Sequence, residues 1–262
     1  MVKEHIAVRI PCGWNVTFAL ASMLYQLGKL NGEPLCPYRF TVGLVANVHP
    51  ADYARNLIVQ EVLTTDASRL WFIDSDIIPS HNCIQILKHD ADIVTGVYPM
   101  WGQMSRDKPE PPTPQFAVYD RKGDEFVHQE IREHEVVPCG AAGMGMMVIR
   151  RKVLEDSRMR IDPTFTDLAG RPCAVADDAP PCIFKEIHAP NGRFEATEDI
   201  PFCKRAGDLG YTMLADHGVK CDHIKTIGIL DVVDYAVDCV TTGYNLHKQY
   251  VQDTQGKILV AS

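Results

Sequence analysis

The first hundred residues alternate between short apolar runs and amphipathic segments, and that alternation restricts the chain to few folds. His5 to Pro11 (HIAVRIP) reads as a strand, and Asn15 to Leu30 carries Val16, Leu20, Met23, Leu24 and Leu27 at helical spacing. Gly28 and the cluster Asn31-Gly32-Glu33-Pro34 mark the end of that helix. Phe40 to Val48 is a second strand, Ala51 to Thr65 a helix, and Leu70 to Asp74 a third strand. Asn82 to His89 follows as a short helix and Ile93 to Tyr98 as a fourth strand. Strands separated by helices of this length pair in parallel, in a sheet covered on both faces. The class expected is therefore α/β, with a mostly parallel central sheet flanked by helices.

Such sheets bind ligands beyond the carboxyl ends of their strands. The segments there are Pro11-Cys12-Gly13, Ala46-Asn47, Asp74-Ser75-Asp76 and Gly96-Val97-Tyr98. The third, within WFIDSDIIPSH, is the unusual one: two carboxylates at the tip of an apolar strand repel each other and cost free energy to desolvate. A bound cation would compensate for them, and so would a pair of turn or capping interactions. Mg²⁺ and Mn²⁺ prefer oxygen ligands and commonly keep waters and phosphate oxygens in their shell, so one or two strand-end aspartates suit them.

The second half changes character. Met100 to Pro114 reads as a loop, Gln115 to His128 as a hairpin turning at Lys122-Gly123, and Val136 to Ile149 as one glycine-punctuated strand. A short helix is expected at Arg151 to Asp156, a long functional loop over Arg158 to Ala196, a helix at Asp199 to Leu209 and a strand at Tyr211 to Leu214. Glu198 and Asp199 fall at the start of that helix, where the dipole favours acids and where a general base could also stand. His223, in KCDHIKTIG, follows a strand-like segment and offers a nitrogen to a metal, or is simply structural. We expect one domain over 1–262, made of halves at 1–99 and 100–230 and a C-terminal extension at 231–262.

A formal charge of −8 argues against a broad basic face for duplex DNA. Arg150, Arg151 and Lys152, with Arg158 and Arg160, are a candidate basic rim or a solvated helix face. Nine cysteines occur without a CxxC pair, and MVKEHIAVRIPCG lacks a secretion signal, so reduced thiols and a cytoplasmic location are expected. Cys173 and Cys182 are the pair that would clip a loop or, with His188, bind zinc. No apolar run is long enough to expect a membrane span.

The order of these elements resembles the metal-dependent GT-A glycosyltransferases, and more narrowly the compact family-2-like enzymes of bacteriophage genomes. The resemblance rests on YARN (Tyr53 to Asn56), WFIDSDIIP (Trp71 to Pro79), DIVTGVYP (Asp92 to Pro99), CGAAGMGMMVIRRKVLE (Cys139 to Glu155), TEDIPFCKRAGDLGY (Thr197 to Tyr211) and CDHIKT (Cys221 to Thr226). It implies a GT-A (Rossmann-like) fold with a smaller mixed β portion in the C-terminal half, the nucleotide sugar bound by 1–99 and the acceptor and metal by 100–230. Such an enzyme moves a sugar from a nucleotide sugar, by default a UDP-sugar, to a hydroxyl with inversion. It further implies Mn²⁺ or Mg²⁺ as cofactor and a hydroxylated DNA base, a protein or a glycan as acceptor. By the same resemblance Asp76 matches the direct metal ligand, His223 its partner, and Asp74 a metal-site residue nearer the donor. Glu198-Asp199 matches the base motif, with Asp199 as the base. Pro11 and Asn47 would border the nucleobase and ribose, and Arg55 would reach the donor or shape its pocket.

Where the family has a pattern like G-T-G-F, this chain has Gly140-Ala141-Ala142-Gly143-Met144, which keeps a close backbone approach but lacks the hydroxyl. A nucleotidyltransferase of similar fold is the nearer rival, although Pro11-Cys12-Gly13-Trp14 is not its glycine-rich basic loop. A haloacid-dehalogenase-type phosphatase fits less well, because Ile77-Ile78-Pro79 follows the aspartates. The third class is a non-catalytic, virion-associated nucleotide-sugar-binding module.

Overall fold

A computed structural model describes residues 2–12, 16–101, 114–161, 165–166, 172–173, 182–188 and 194–224. Its centre is a seven-stranded sheet: β1 (Glu4–Cys12), β2 (Tyr38–Ala46), β3 (Arg69–Ile73), β4 (Ile93–Val97), β5 (Val136–Pro138), β6 (Met146–Arg150) and β7 (Met213–Lys220). Their spatial order is β5-β7-β4-β6-β3-β1-β2. β1 pairs in parallel with β2 and β3, and β7 with β4. β6 is antiparallel to both of its neighbours and β5 to β7, so five of the seven strands run one way.

The helices are α1 (Phe18–Gly32), α2 (Ala51–Leu63), α3 (Arg151–Glu155) and α4 (Asp199–Asp208), with a short 3-10 helix at Cys83–Lys88. α1 runs past Gly28 and stops one residue before Glu33, while the Asn31 side chain accepts from Phe40 N–H (2.7 Å) and donates to its carbonyl (2.9 Å). Thr17 caps its start by accepting from Leu20 N–H at 3.0 Å.

Alternation along each strand divides the core into two layers. Leu70, Phe72, Met147 and Ile149 pack under α2, α3 and α4 against Ile58, Val62, Leu154 and Phe202. Trp71, Ile73, Met146 and Val148 face the opposite side, with Leu20 and Leu27 of α1 and Ile86 and Leu87 of the 3-10 helix.

The stretch Val136 to Ile149, expected as one strand, is three: β5 joins one sheet edge, Ala141–Ala142 pairs with the hairpin Val118–Lys122/Glu125–His128, and β6 threads between β3 and β4. The glycines allow those breaks. Gly140 lies so close to Arg121 that a Cβ would stand 2.5 Å from the Arg121 Cβ. The hairpin turns at Gly123, in the left-handed region at φ 66°, as the Lys122-Gly123 signal predicts. Because β6 runs against β3, Met146 pairs with Ile73, which puts Gly143–Gly145 beside the residues that follow β3. A two-residue bridge, Ile77–Ile78 with Asp222–His223, then carries the end of the described chain to the same place. Among the described residues no helix is long and apolar enough to cross a membrane.

Candidate functional site

β3 ends at Ile73, and the chain turns at once: Asp74 N–H donates to the Gly145 carbonyl at 3.0 Å and Ile77 N–H to the Asp74 carbonyl at 3.1 Å. This turn separates the two aspartates in space and in partner.

Asp74 belongs to an arginine. Arg55, from the middle of α2 and only 4% exposed, donates from Nη2 to Asp74 Oδ1 and Oδ2 at 2.9 and 3.1 Å, and from Nε to Glu198 Oε1 at 2.7 Å. Its guanidinium lies over the Phe72 ring, 5.1 Å from the centroid. Burial pulls the Arg55 pKa down, but the two carboxylates more than reverse that and hold it above the ordinary value. Burial pushes Asp74 up, Arg55 opposes the shift, and Asp76 adds to it. Arg55 Nη1 finds no partner among the described residues.

Asp76 belongs to a histidine. Its Oδ2 lies 3.1 Å from His223 Nε2, and Ile224 N–H donates to its carbonyl at 2.8 Å. His223 is buried, with Nδ1 3.0 Å from the Pro99 carbonyl and its ring edge-on to Tyr98, 5.2 Å between centroids. A carbonyl only accepts, so Nδ1 carries the hydrogen and Nε2 faces a carboxylate oxygen. Two acceptors at that distance require a proton or a cation between them. An oxygen and an imidazole nitrogen, on an aspartate 41% exposed, suit a divalent cation that completes its shell from solvent or a ligand. Among the described residues no three or more His, Cys, Asp or Glu side chains gather as a ready-made metal site.

Asp199 opens α4. Its Oδ1 accepts from Ile200 N–H at 2.8 Å and from the Thr197 hydroxyl. Burial dominates and pushes its pKa to about 6, with neighbouring Glu198 adding to the shift. Such a carboxyl is ionised at neutral pH yet basic enough to accept a proton. The folded carboxyl holds its proton more tightly than the unfolded one, so this group's contribution to stability falls as pH rises from about 4 to about 6.

Pro11 and Asn47 stand at the carboxyl ends of β1 and β2, where Asn47 N–H donates to the Cys12 carbonyl at 2.9 Å and Asn47 adopts φ 60°. Gly13 lies outside the described residues. Gly143 is hemmed in by Tyr98, since a Cβ there would stand 2.1 Å from the Tyr98 hydroxyl. That hydroxyl accepts from Gly145 N–H at 3.0 Å, and the ring is buried, so it has nowhere to swing. Gly143→Ala is expected to cost about 1–3 kcal/mol, read from the urea midpoint, and Tyr98→Phe in the same chain to restore part of it.

Two residues not singled out in the sequence have clear tasks. Asn56, beside Arg55 in YARN, accepts from Ile183 and Phe184 N–H (2.8 and 3.0 Å) and donates to the Phe184 carbonyl (2.8 Å). Asp52 accepts from Glu186 N–H at 3.1 Å. One face of α2 thus binds the stretch 182–186, and the only signal was an asparagine next to an arginine at apolar helix positions. Most of the expected loop from Arg158 to Ala196 lies outside the described residues, as do the side chains of Cys173 and His188, while Cys182 is a free, buried thiol.

Four of the five basic side chains pair with carboxylates. Arg150 pairs with Asp90 (2.5 Å), Lys152 with Asp92 (2.5 Å) and Arg158 with Asp156 (2.6 Å). Arg151 pairs with Glu155 at 2.6 Å and donates to the Leu63 and Thr65 carbonyls that end α2.

No family model matches the sequence, and no curated protein does. Among solved structures, the chain is similar to A197 from STIV at 15% identity, over 85% of this chain and 86% of that one, with a TM-score of 0.49. It is similar to GalNAc-T7, crystallised with UDP, GalNAc and Mn²⁺, at 10% identity and a TM-score of 0.43; the match covers 86% of this chain but 44% of that one. It is also similar to the inositol-1-phosphate CTP transferase from T. maritima, at 10% identity over 99% of each chain, with a TM-score of 0.39.

Proposed function

We propose that the protein is a metal-dependent glycosyltransferase that moves a sugar from a nucleotide-sugar donor, a UDP-sugar by default, to an acceptor hydroxyl with inversion. One observation supports this reading best. At the carboxyl edge of an α/β sheet the chain gathers an oxygen–nitrogen pair, Asp76 and His223, an arginine-bound carboxylate, Asp74, and a carboxyl of pKa about 6, Asp199.

In this reading Asp76 and His223 would hold Mn²⁺ or Mg²⁺, with Asp74 at the same site but nearer the donor. The cation, when bound, neutralises charge developing on a diphosphate leaving group. Arg55 keeps Asp74 turned toward the donor ribose or sugar. Pro11 and Asn47 border the nucleobase and ribose, and the backbone of Gly140 to Gly143 lies against the sugar or acceptor. Asp199 takes the proton of the acceptor hydroxyl as its oxygen attacks the anomeric carbon opposite the departing nucleoside diphosphate. Glu198, fixed on Arg55, sets the start of α4 and with it the position of Asp199. The acceptors in view are a hydroxylated phage DNA base, a virion protein or a glycan, in a cytoplasmic setting.

A donor-hydrolysis screen over nucleotide sugars, with and without Mn²⁺, tests the reading. Hydrolysis of one donor class that requires the metal is expected, and hydroxymethylated DNA, virion proteins and glycans then serve as trial acceptors. The rate should be level above pH about 6 and fall about tenfold per unit below it, as Asp199 protonates, with Asp199→Asn nearly inactive throughout. Metal-independent hydrolysis would count against it. Pyrophosphate release from a nucleoside triphosphate and a sugar phosphate would favour the nucleotidyltransferase reading instead.

A further inference from the structure

Gly143 and Gly145 are glycines because of space and not because of backbone angle, since neither lies in the left-handed region. One side chain fills that space. A Cβ on Gly143 would collide with the Tyr98 hydroxyl and stand 3.0 Å from its Cζ, and a Cβ on Gly145 would stand 2.9 Å from the same Cζ. The Tyr98 hydroxyl therefore occupies the place that the first side-chain atom of residue 143 would take. The stretch Gly140 to Met144 carries no side-chain hydroxyl, and the residue that follows β4 brings one to it.

That hydroxyl has a hydrogen to spare. It accepts from Gly145 N–H at 3.0 Å, while its own hydrogen finds no acceptor among the described residues. Tyr98 is only 4% exposed, and a buried O–H left without an acceptor is costly. Around it stand the corners of the site. Gly145, which holds the hydroxyl, also accepts from Asp74 N–H at 3.0 Å. The ring stands edge-on to His223, 5.2 Å between centroids. Ala142, next to Gly143, accepts from Cys203 Sγ at 3.6 Å, on the helix α4 that Asp199 opens. Burial raises the Tyr98 pKa well above the ordinary phenol value, and the Asp74 and Asp199 carboxylates add to the rise. The phenol thus keeps its proton at neutral pH and remains a hydrogen-bond donor among groups that accept.

We propose that Tyr98 is a specificity-determining residue, whose hydroxyl donates its hydrogen to a hydroxyl oxygen of the sugar being transferred. This rests on the glycosyltransferase reading, in which the sugar lies between Asp74, on the donor side, and Asp199, opposite the leaving nucleotide. A donor group beside Gly143, between those two carboxylates, meets the sugar and not the nucleobase. A sugar hydroxyl is a better acceptor than the ring oxygen, where positive charge develops as the leaving group departs.

Calorimetric titration with Mn²⁺ present tests this, using the nucleotide sugar that the wild type hydrolyses and the matching nucleoside diphosphate alone. Tyr98→Phe should weaken the nucleotide sugar about fivefold to tenfold and leave the nucleoside diphosphate within about twofold. A merely structural loss, from the Gly145 N–H left unpaired, would weaken both alike. One monodeoxy form of the sugar should bind the wild type more weakly by a similar factor and lose nothing further in Tyr98→Phe. Equal weakening of both ligands, or of neither, would overturn the proposal. So would monodeoxy donors that all bind the wild type as tightly as the parent does, a result that needs no variant to fold. A wild type that hydrolyses no nucleotide sugar would instead remove the glycosyltransferase reading, and the role of Tyr98 with it.

Discussion

Arg55→Met is expected to destabilise the protein by about 3–5 kcal/mol, because it breaks a buried ion-pair network from its centre. Arg55 and Glu198 are 4% and 5% exposed, and among the described residues the guanidinium is the cation that pairs with both Glu198 and Asp74. Methionine fills much of the same volume, so the loss reports charge and hydrogen bonding more than a cavity. Asp74 already has its pKa raised by burial and by Asp76, with Arg55 as the main opposing influence. Without Arg55 the carboxyl binds its proton still more tightly when folded, so the deficit should be larger at pH 8 than at pH 5. Arg55→Lys keeps a charge but loses the fork that reaches two carboxylates, and should recover only part of the loss. Urea unfolding at the two pH values measures all of this; a deficit below about 1 kcal/mol at pH 8 would mean that the network contributes little.

The second large effect concerns Asp76 and His223. Asp76→Ala or His223→Ala should each weaken Mn²⁺ binding, followed by electron paramagnetic resonance or calorimetry, by about 100-fold or more. Removing a residue that merely orients a ligand already costs about 10–100-fold. Donor turnover should fall in step. The double variant should be little worse than either single one, because the two side chains act on one ion. Unchanged Mn²⁺ affinity in both single variants, with the fold retained, would remove the proposed metal position and leave the 3.1 Å contact as a structural His–Asp interaction.

Local order was legible to a useful depth. The strands and helices of the first hundred residues lie within a few positions of their periodic signals, since each has one buried face whose pattern repeats at 2 or 3.6 residues. The carboxyl-edge rule put Asp74 and Asp76 beyond β3, where they lie. The segment Val136 to Ile149 reads as one strand because its small and apolar residues suit a core strand throughout. What divides it is the close approach of Arg121 to Gly140 and Tyr98 to Gly143, and neither neighbour is near in sequence.

The sequence by itself determined an alternating α/β chain, a carboxylate-rich sheet edge and an acidic start to α4. Only the tertiary structure decided that β6 runs antiparallel between β3 and β4, and that the two aspartates of DSD have different partners. Arg55 joins Asp74, 19 residues away, to Glu198, 143 residues away, and Asp76 meets His223 across 147 residues. Periodicity records which face of an element is buried, because that preference acts within one or two turns. It carries no record of which distant element supplies the other half of an ion pair, since that follows from strand order and crossover, which are set by burial summed over the whole chain.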